Sequence, residues 1–261
     1  MLIPDIQNLF FTAIVRGIDD EIQKHGYTVL LANSDGSTDR ERVYLNTFRA
    51  EGVAGLLVVP SQDDERIYRD FLRTGVPLVV LDRTVHLPNV DLVSVTNAEG
   101  SAQAVAHLVE LGHRRIAMIA GPHDTPGGKF RLVGFEEEMG DGFDPVLVEE
   151  GDYSQESGAL AMARLLERTR DIDAVFAASD MMAAGAIATL RKAGLRVPDD
   201  IAVAGFDDSG LAATHEPALT TMRQPWERLS SEMVSTLLDV IAGAAPEPIT
   251  LPTTLVVRDS A

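Results

Sequence analysis

The sequence predicts an α/β protein built from doubly wound parallel sheets in two subdomains. Three observations predict it. Short apolar, β-rich runs alternate with helical segments of about 10–15 residues, the grammar of parallel sheets with helices on both faces. About ten such runs occur, too many for one compact sheet in a chain of 261 residues. The alternation also restarts after Asn97. The composition, 45% hydrophobic and 24% charged with 13 Pro and 21 Gly, excludes disorder, collagen and coiled coil.

The elements follow in order. Phe10, Ile14, Ile18 and Ile22 form an apolar stripe on a helix, with Phe11 and Val15 beside it, and Gly26 ends it. Tyr27 to Ala32 reads as a strand, Arg40–Arg49 as a helix, and Gly55 to Val59 as a buried strand closed by Pro60-Ser61. Asp63 to Arg73 is helical, with Ile67, Phe71 and Leu72 on one side, and strands follow at Val76–Leu81 and Val90–Val95. Asn97 is placed to cap a helix running to about Leu111. Next come a strand at Ile116–Ala120, a helix near Lys129–Met139 and a strand at Val146–Val148. Ser154 caps a helix containing Leu160, Leu165 and Leu166. Ala174–Ala177 is a strand, Met181–Lys192 a helix and Ile201–Gly205 a strand.

Charge and composition narrow the function. There are 22 Lys and Arg against 40 Asp and Glu, a net charge of −18, so the chain as it stands repels phosphate backbones. The absence of Cys removes disulfides, thiolate nucleophiles and Cys-ligated zinc. No apolar run approaches the ~18 residues of a membrane span, and no signal peptide is visible from Met1 to Asp5. Enzyme motifs fare poorly. The Gly121–Phe130 loop lacks the Gly and Ser/Thr of a phosphate loop, and no G-x-G-x-x-G or G-x-S-x-G occurs. The six His have no H-x-x-x-H or H-E-x-x-H spacing. Asp82 with Asp207 is the one candidate acid/base pair, and it would require two separated pKa values. No catalytic residue, cofactor or metal is expected.

In an open α/β sheet, ligands collect beyond the carboxyl ends of the strands. Those positions carry Asp5, Asn8, Phe10 and Phe11; Asn33 and Asp35; Asp82 and Arg83; Lys129 and Arg131; Ser179 and Asp180; Phe206, Asp207 and Asp208; and Gln224 and Trp226. Carboxylates accept two hydroxyl donors, Arg presents a fork of donors and rings stack on C–H faces, a mixture suited to a neutral polyhydroxylated ligand. Each residue also has a structural reading. Single carboxylates after strands mostly cap or turn, which suits Asp180 and Asp208 as capping residues, and Phe10 or Phe11 belongs in a core.

Nine stretches, taken in this order, carry a resemblance: PDIQNLFFTAIVRGIDDEIQKHGY, GLLVVPS, PLVVLDR, LGHRRIAMIAGP, RLVGFEEEM, AVFAASDMMAAGA, GLRVPDDIAVAGFDD, LTTMRQP and LPTTLVVRDS. The chain resembles the effector-binding core of LacI/GalR-type (lac-repressor-like) transcriptional regulators over nearly its whole length. The resemblance implies a periplasmic-binding-protein-like fold: two lobes, 1–96 plus 224–249 and 97–223 plus 250–261, with a ligand cleft and a hinge of three crossings. It implies a sugar or polyol effector bound by Asn8, Phe10, Phe11, Asp82, Arg83, Arg131, Ser179, Asp207, Gln224 and Trp226. Two departures bear on the ligand: Ser179 stands where Asn is frequent, and Leu9 replaces the usual Pro. The segment from Gly134 to Val146 is also short.

Family members carry an N-terminal helix-turn-helix headpiece and hinge helix, which do not precede Met1 here. Operator DNA would then be contacted only through that absent headpiece. The resemblance further implies a cytoplasmic homodimer whose lobe closure shifts operator affinity. Replacing Asp207 or Arg131 by Ala is expected to abolish binding with little change in melting. A periplasmic transport receptor or a sugar-acting enzyme are the alternatives.

Overall fold

The computed structural model describes residues 1–61, 65–81, 90–245 and 247–261. In chain order the elements are β1 (Leu2–Ile3), α1 (Leu9–Ile22), β2 (Ala32–Asn33), α2 (Thr38–Glu51), β3 (Leu56–Val58), α3 (Glu65–Leu72), β4 (Leu78–Leu81) and β5 (Asp91–Val95). Then come α4 (Asn97–Glu110), β6 (Ile116–Ala120), α5 (Pro126–Met139), β7 (Val148–Glu150), α6 (Gln155–Arg168), β8 (Ala174–Ala177), α7 (Asp180–Lys192) and β9 (Ala202–Asp207). The chain closes with α8 (Gly210–Thr214), β10 (Thr220–Arg223), α9 (Trp226–Ile241), β11 (Ile249–Leu251) and β12 (Thr254–Val256). Contacts divide it into two units, Met1–Val95 with Pro225–Leu251 and Thr96–Gln224 with Pro252–Ala261.

In the first unit the sheet order is β11-β5-β4-β3-β1-β2, parallel throughout. Strand alternation sorts its core onto two faces. Leu57, Val59, Val79 and Leu81 join the side chains of α1 and α9, while Leu56, Val58, Leu78 and Val80 join Leu45 and Phe48 of α2 and Ile67, Tyr68 and Phe71 of α3. On the first face α1 and α9 approach closely at Gly17: a Cβ there would lie 2.5 Å from the Ser230 hydroxyl, which donates to the Ile14 carbonyl.

The second unit has the order β12-β10-β9-β8-β6-β7, parallel except for antiparallel β12 against β10. One apolar cluster runs through it, including Phe135 of α5, Phe176 of β8, Phe206 of β9 and Leu190 of α7.

The predicted fold class holds, with local corrections. The Tyr27–Ala32 strand shrinks to Ala32–Asn33, because β1 offers only Leu2 and Ile3 for pairing; Tyr27, Leu30 and Leu31 are exposed. The Val146–Val148 strand moves to Val148–Glu150. Asp144 accepts the Val146 amide proton at 3.0 Å and, with Pro145, sets a 3-10 turn first. Asn97 is not the cap of α4: Thr96 holds the N-cap position, and Asn97 is the first helical residue, buried, with its side chain used elsewhere.

Candidate functional site

The second unit gathers its predicted residues at the carboxyl ends of β8 and β9. Thr125 caps α5 by accepting the Gly128 amide proton, and Pro126 opens the helix. One turn on, Arg131 points into the unit and is only 4% exposed. Its placement requires α5 to press on α4. A Cβ at Gly134 would lie 2.0 Å from the Ala98 carbonyl oxygen, and the Ser101 hydroxyl donates to the Arg131 carbonyl at 2.5 Å.

The guanidinium is held by its neighbours. Its Nε donates to Asn97 Oδ1 at 2.8 Å and Nη1 to the Ala178 carbonyl at 2.6 Å. Nη1 stands 3.6 Å from Asp207 Oδ1, and the Phe206 ring lies 3.7 Å away under the cation. A buried cation persists only with such pairing, so removing Arg131 strands a carboxylate and a carbonyl. Where the sequence alone suggests nearly unchanged melting for an Arg131 variant, these contacts make a loss of stability the expected outcome.

Asp207 closes β9 in strained backbone, with φ +116, and Asp208 follows at φ +52. Non-glycine residues there cost roughly 1–3 kcal/mol each and persist only where the surroundings over-determine them. Gln224 supplies part of that: its amide proton goes to the Asp207 carbonyl at 3.2 Å, and Nε2 donates to Asp207 Oδ1 at 2.7 Å. Gln224 is buried and its Oε1 has no hydrogen-bond partner among the described residues, an acceptor left over at this point. Asp208 is not a cap; its oxygens take Arg223 and Arg258, each at 2.6 Å.

Ser179 is 1% exposed and caps α7, its hydroxyl accepting the Met182 amide proton at 3.2 Å. Asp180 does not cap its own helix. One oxygen accepts from Thr221 Oγ1 at 2.6 Å; the other accepts from the Ser209 amide and hydroxyl at 2.7 and 3.0 Å. Burial, and then the neighbouring Asp207 carboxylate, push the Asp180 pKa up, while the bonds from Thr221 and Ser209 pull it down.

In the first unit Asn8 caps α1, accepting the Phe10 amide proton at 2.9 Å. Phe10 is core, whereas Phe11 and Trp226 are half-buried and pack on the same apolar cluster. The two Phe rings stand 5.5 Å apart at 59°. Asp82 and Arg83 lie outside the described residues.

Two residues of the second unit, Asn97 and Tyr153, are not read from the sequence as part of its site. The sequence makes Asn97 a helix cap, whereas Phe206 stands among the residues expected beyond the strand end. Tyr153 sits at φ +70 in the turn after β7, its hydroxyl 3.2 Å from Thr125 Oγ1 and its ring against Gly121, where a Cβ would come within 2.5 Å. A positive φ on a tyrosine has no sequence signature; Gly121 opposite it was the available hint. Among the described residues no group of three or more metal-ligating side chains forms.

Comparison with known proteins places the chain in a family. A family model described as a periplasmic binding protein-like domain matches residues 105–261. The chain is 40% identical over 260 residues to the HTH-type transcriptional regulator CelR of Thermobifida fusca, covering 96% of this chain and 76% of that protein. Among solved structures, a CelR–cellobiose complex superposes with a TM-score of 0.92 at 37% identity, over 100% of this chain and 83% of the other. A LacI family regulator from Enterococcus faecium with bound ribose gives 0.89 at 28% identity, over 100% and 97%.

The chain belongs to the LacI-type transcriptional regulators. It is the effector-binding core of such a protein, as the ordered motifs implied, and this sets the transport-receptor reading aside. The relatives are regulators, not enzymes. Among the described residues no helix is long and apolar enough to cross a membrane.

Proposed function

We propose that this effector-binding core senses a neutral sugar or related polyol, and that Arg131, Asp207 and Gln224 form the polar part of its recognition site. The observation that carries this is the Asp207 carboxylate. It is held in strained backbone at the carboxyl edge of the sheet, aligned by Arg131 and Gln224, beside the unpartnered Gln224 Oε1. Such acceptors match vicinal hydroxyls, which donate two hydrogen bonds in a fixed spacing. Tyr153 of the second unit offers a ring face for sugar C–H groups. The cellobiose and ribose held by two structural relatives are ligands of this chemistry.

The wider reading is a cytoplasmic, non-enzymatic regulator acting as a homodimer, with operator DNA contacted by a segment outside this chain. The net charge of −18 supports that division, since these residues repel a phosphate backbone. Effector binding changes operator affinity by favouring one of two conformations, which requires unequal affinity for them.

Thermal-shift screening tests the ligand class. A neutral mono- or disaccharide is expected to raise the melting temperature with concentration, as mass action demands. A panel in which only nucleosides or sugar phosphates stabilise the protein would overturn the reading.

A further inference from the structure

We propose that Asp180 is a positioning residue of the effector site, holding the Asp207–Asp208 turn in its left-handed conformation through Ser209 and Thr221. This rests on the assignment of Asp207 to the effector. Two successive non-glycine residues at φ +116 and +52 do not stay there unaided. The turn is pinned on one side by Arg223 and Arg258, which hold the Asp208 carboxylate. Beyond Asp208, Asp180 grips the turn: one carboxylate oxygen takes both the amide and the hydroxyl of Ser209, the residue that enters α8. The second oxygen takes the Thr221 hydroxyl from β10. Asp180 thus ties the start of α7 to two further elements flanking Asp207.

The backbone is shaped to admit this carboxylate. Gly205, two residues before Asp207, lies against it, and a Cβ there would sit 2.6 Å from Asp180 Oδ1. Asp180 is fully buried, and both its oxygens are already taken by donors of the protein, Ser209 and Thr221. A helix-capping role does not account for it, since Ser179 already caps α7. What remains is its hold on Ser209 and Thr221. Without that hold, residues 207 and 208 relax toward negative φ and the Asp207 carboxylate leaves Gln224 and Arg131.

The test uses Asp180→Ala, Asp180→Asn and Gly205→Ala in the full chain, with cellobiose as probe. Amide exchange at Ser209 and the Asp207 carboxyl ¹³C resonance are read without ligand, and cellobiose affinity by calorimetry. In Asp180→Ala the Ser209 amide is expected to lose protection, the Asp207 resonance to move and affinity to fall about 30-fold. Asp180→Asn keeps acceptors for Ser209 and offers a donor to Thr221 Oγ1, so it recovers most of that loss. Gly205→Ala displaces the carboxylate while keeping it, and reproduces the Ala phenotype even where Asp180→Ala fails to fold. If wild type takes up no cellobiose, the ligand assignment for that sugar has failed, and the two ligand-free readouts still judge Asp180. Unchanged Ser209 protection and Asp207 resonance in Asp180→Ala, or in Gly205→Ala should the former not fold, would overturn the proposal.

Discussion

The two units share a sheet plan but use the carboxyl ends of their strands differently. In the first, among the described residues, Asn8 caps a helix and Phe10 fills a core; one buried carboxylate, Glu41, accepts the Ser61 amide proton of the turn after β3. In the second, Asp180 takes the Ser209 amide after β9 in the same manner, but Arg131, Asp207 and Gln224 are added beside it. A buried carboxylate on a helix that holds a post-strand turn is therefore a scaffold device found in both units. Among the described residues the buried guanidinium and the unpartnered amide oxygen are found in the second, whereas an aspartate at positive φ at or just after the end of a strand occurs in both, Asp35 at +50 and Asp207 at +116. That difference separates the residues folding needs from those a ligand needs.

The comparison can be broken most forcefully at Arg131. Arg131→Ala is expected to cost about 3–5 kcal/mol in denaturant unfolding, because it leaves Asp207 buried without its cation. Replacing both partners, Arg131→Met with Asp207→Asn, which keeps a residue tolerant of positive φ and a hydrogen-bond acceptor for Gln224, is expected to recover stability over Arg131→Met alone while sugar binding stays lost. Recovery of both would mean the pair serves folding only. Phe10→Ala is expected to cost a similar ~3–5 kcal/mol as a core cavity, and Phe11→Ala distinctly less, since Phe11 is half-buried. Equal costs would place both rings in the core.

Protons give a finer test. Asp180 is pushed up to about 8 from 3.8, first by burial and then by Asp207. A carboxyl whose pKa is raised on folding is protonated in the folded state at pH values where the unfolded chain has released the proton. Its stability contribution is therefore full at low pH and is lost as pH rises from about 4 to about 8. Melting temperature should decline across that window, and Asp180→Asn should flatten the decline; a profile identical in the two proteins would contradict it. The smallest effect is at Ser179, where Ala removes one cap bond, about 1 kcal/mol by thermal unfolding.

Much of this was legible in the sequence. The spacing of Phe10, Ile14, Ile18 and Ile22 yields α1 with those four buried, because i, i+4 residues share a face. Continuous apolar runs marked β6 and β8 to the residue, since strands covered on both faces need no alternation. The edge strand β2 was misjudged because pairing depends on a partner strand as well as on propensity. Within the site, Arg131, Asp207 and Gln224 were each legible at a strand or helix end. Asn97 was not, since its role is to face Arg131, and facing is a property of tertiary structure. The scaffold task of Asp180 was hidden for the same reason: its partners, Ser209 and Thr221, lie 29 and 41 residues away.

The most direct measurement is calorimetric titration of wild type and Asp207→Asn with the sugar that most stabilises the protein. Asn adopts left-handed backbone as readily as Asp, so the substitution removes the charge and keeps the turn. The account predicts a loss of about 10–100-fold in affinity, the worth of hydrogen bonds to a charged acceptor. An affinity within about twofold of wild type would contradict it, because the carboxylate would then play no part in holding the effector.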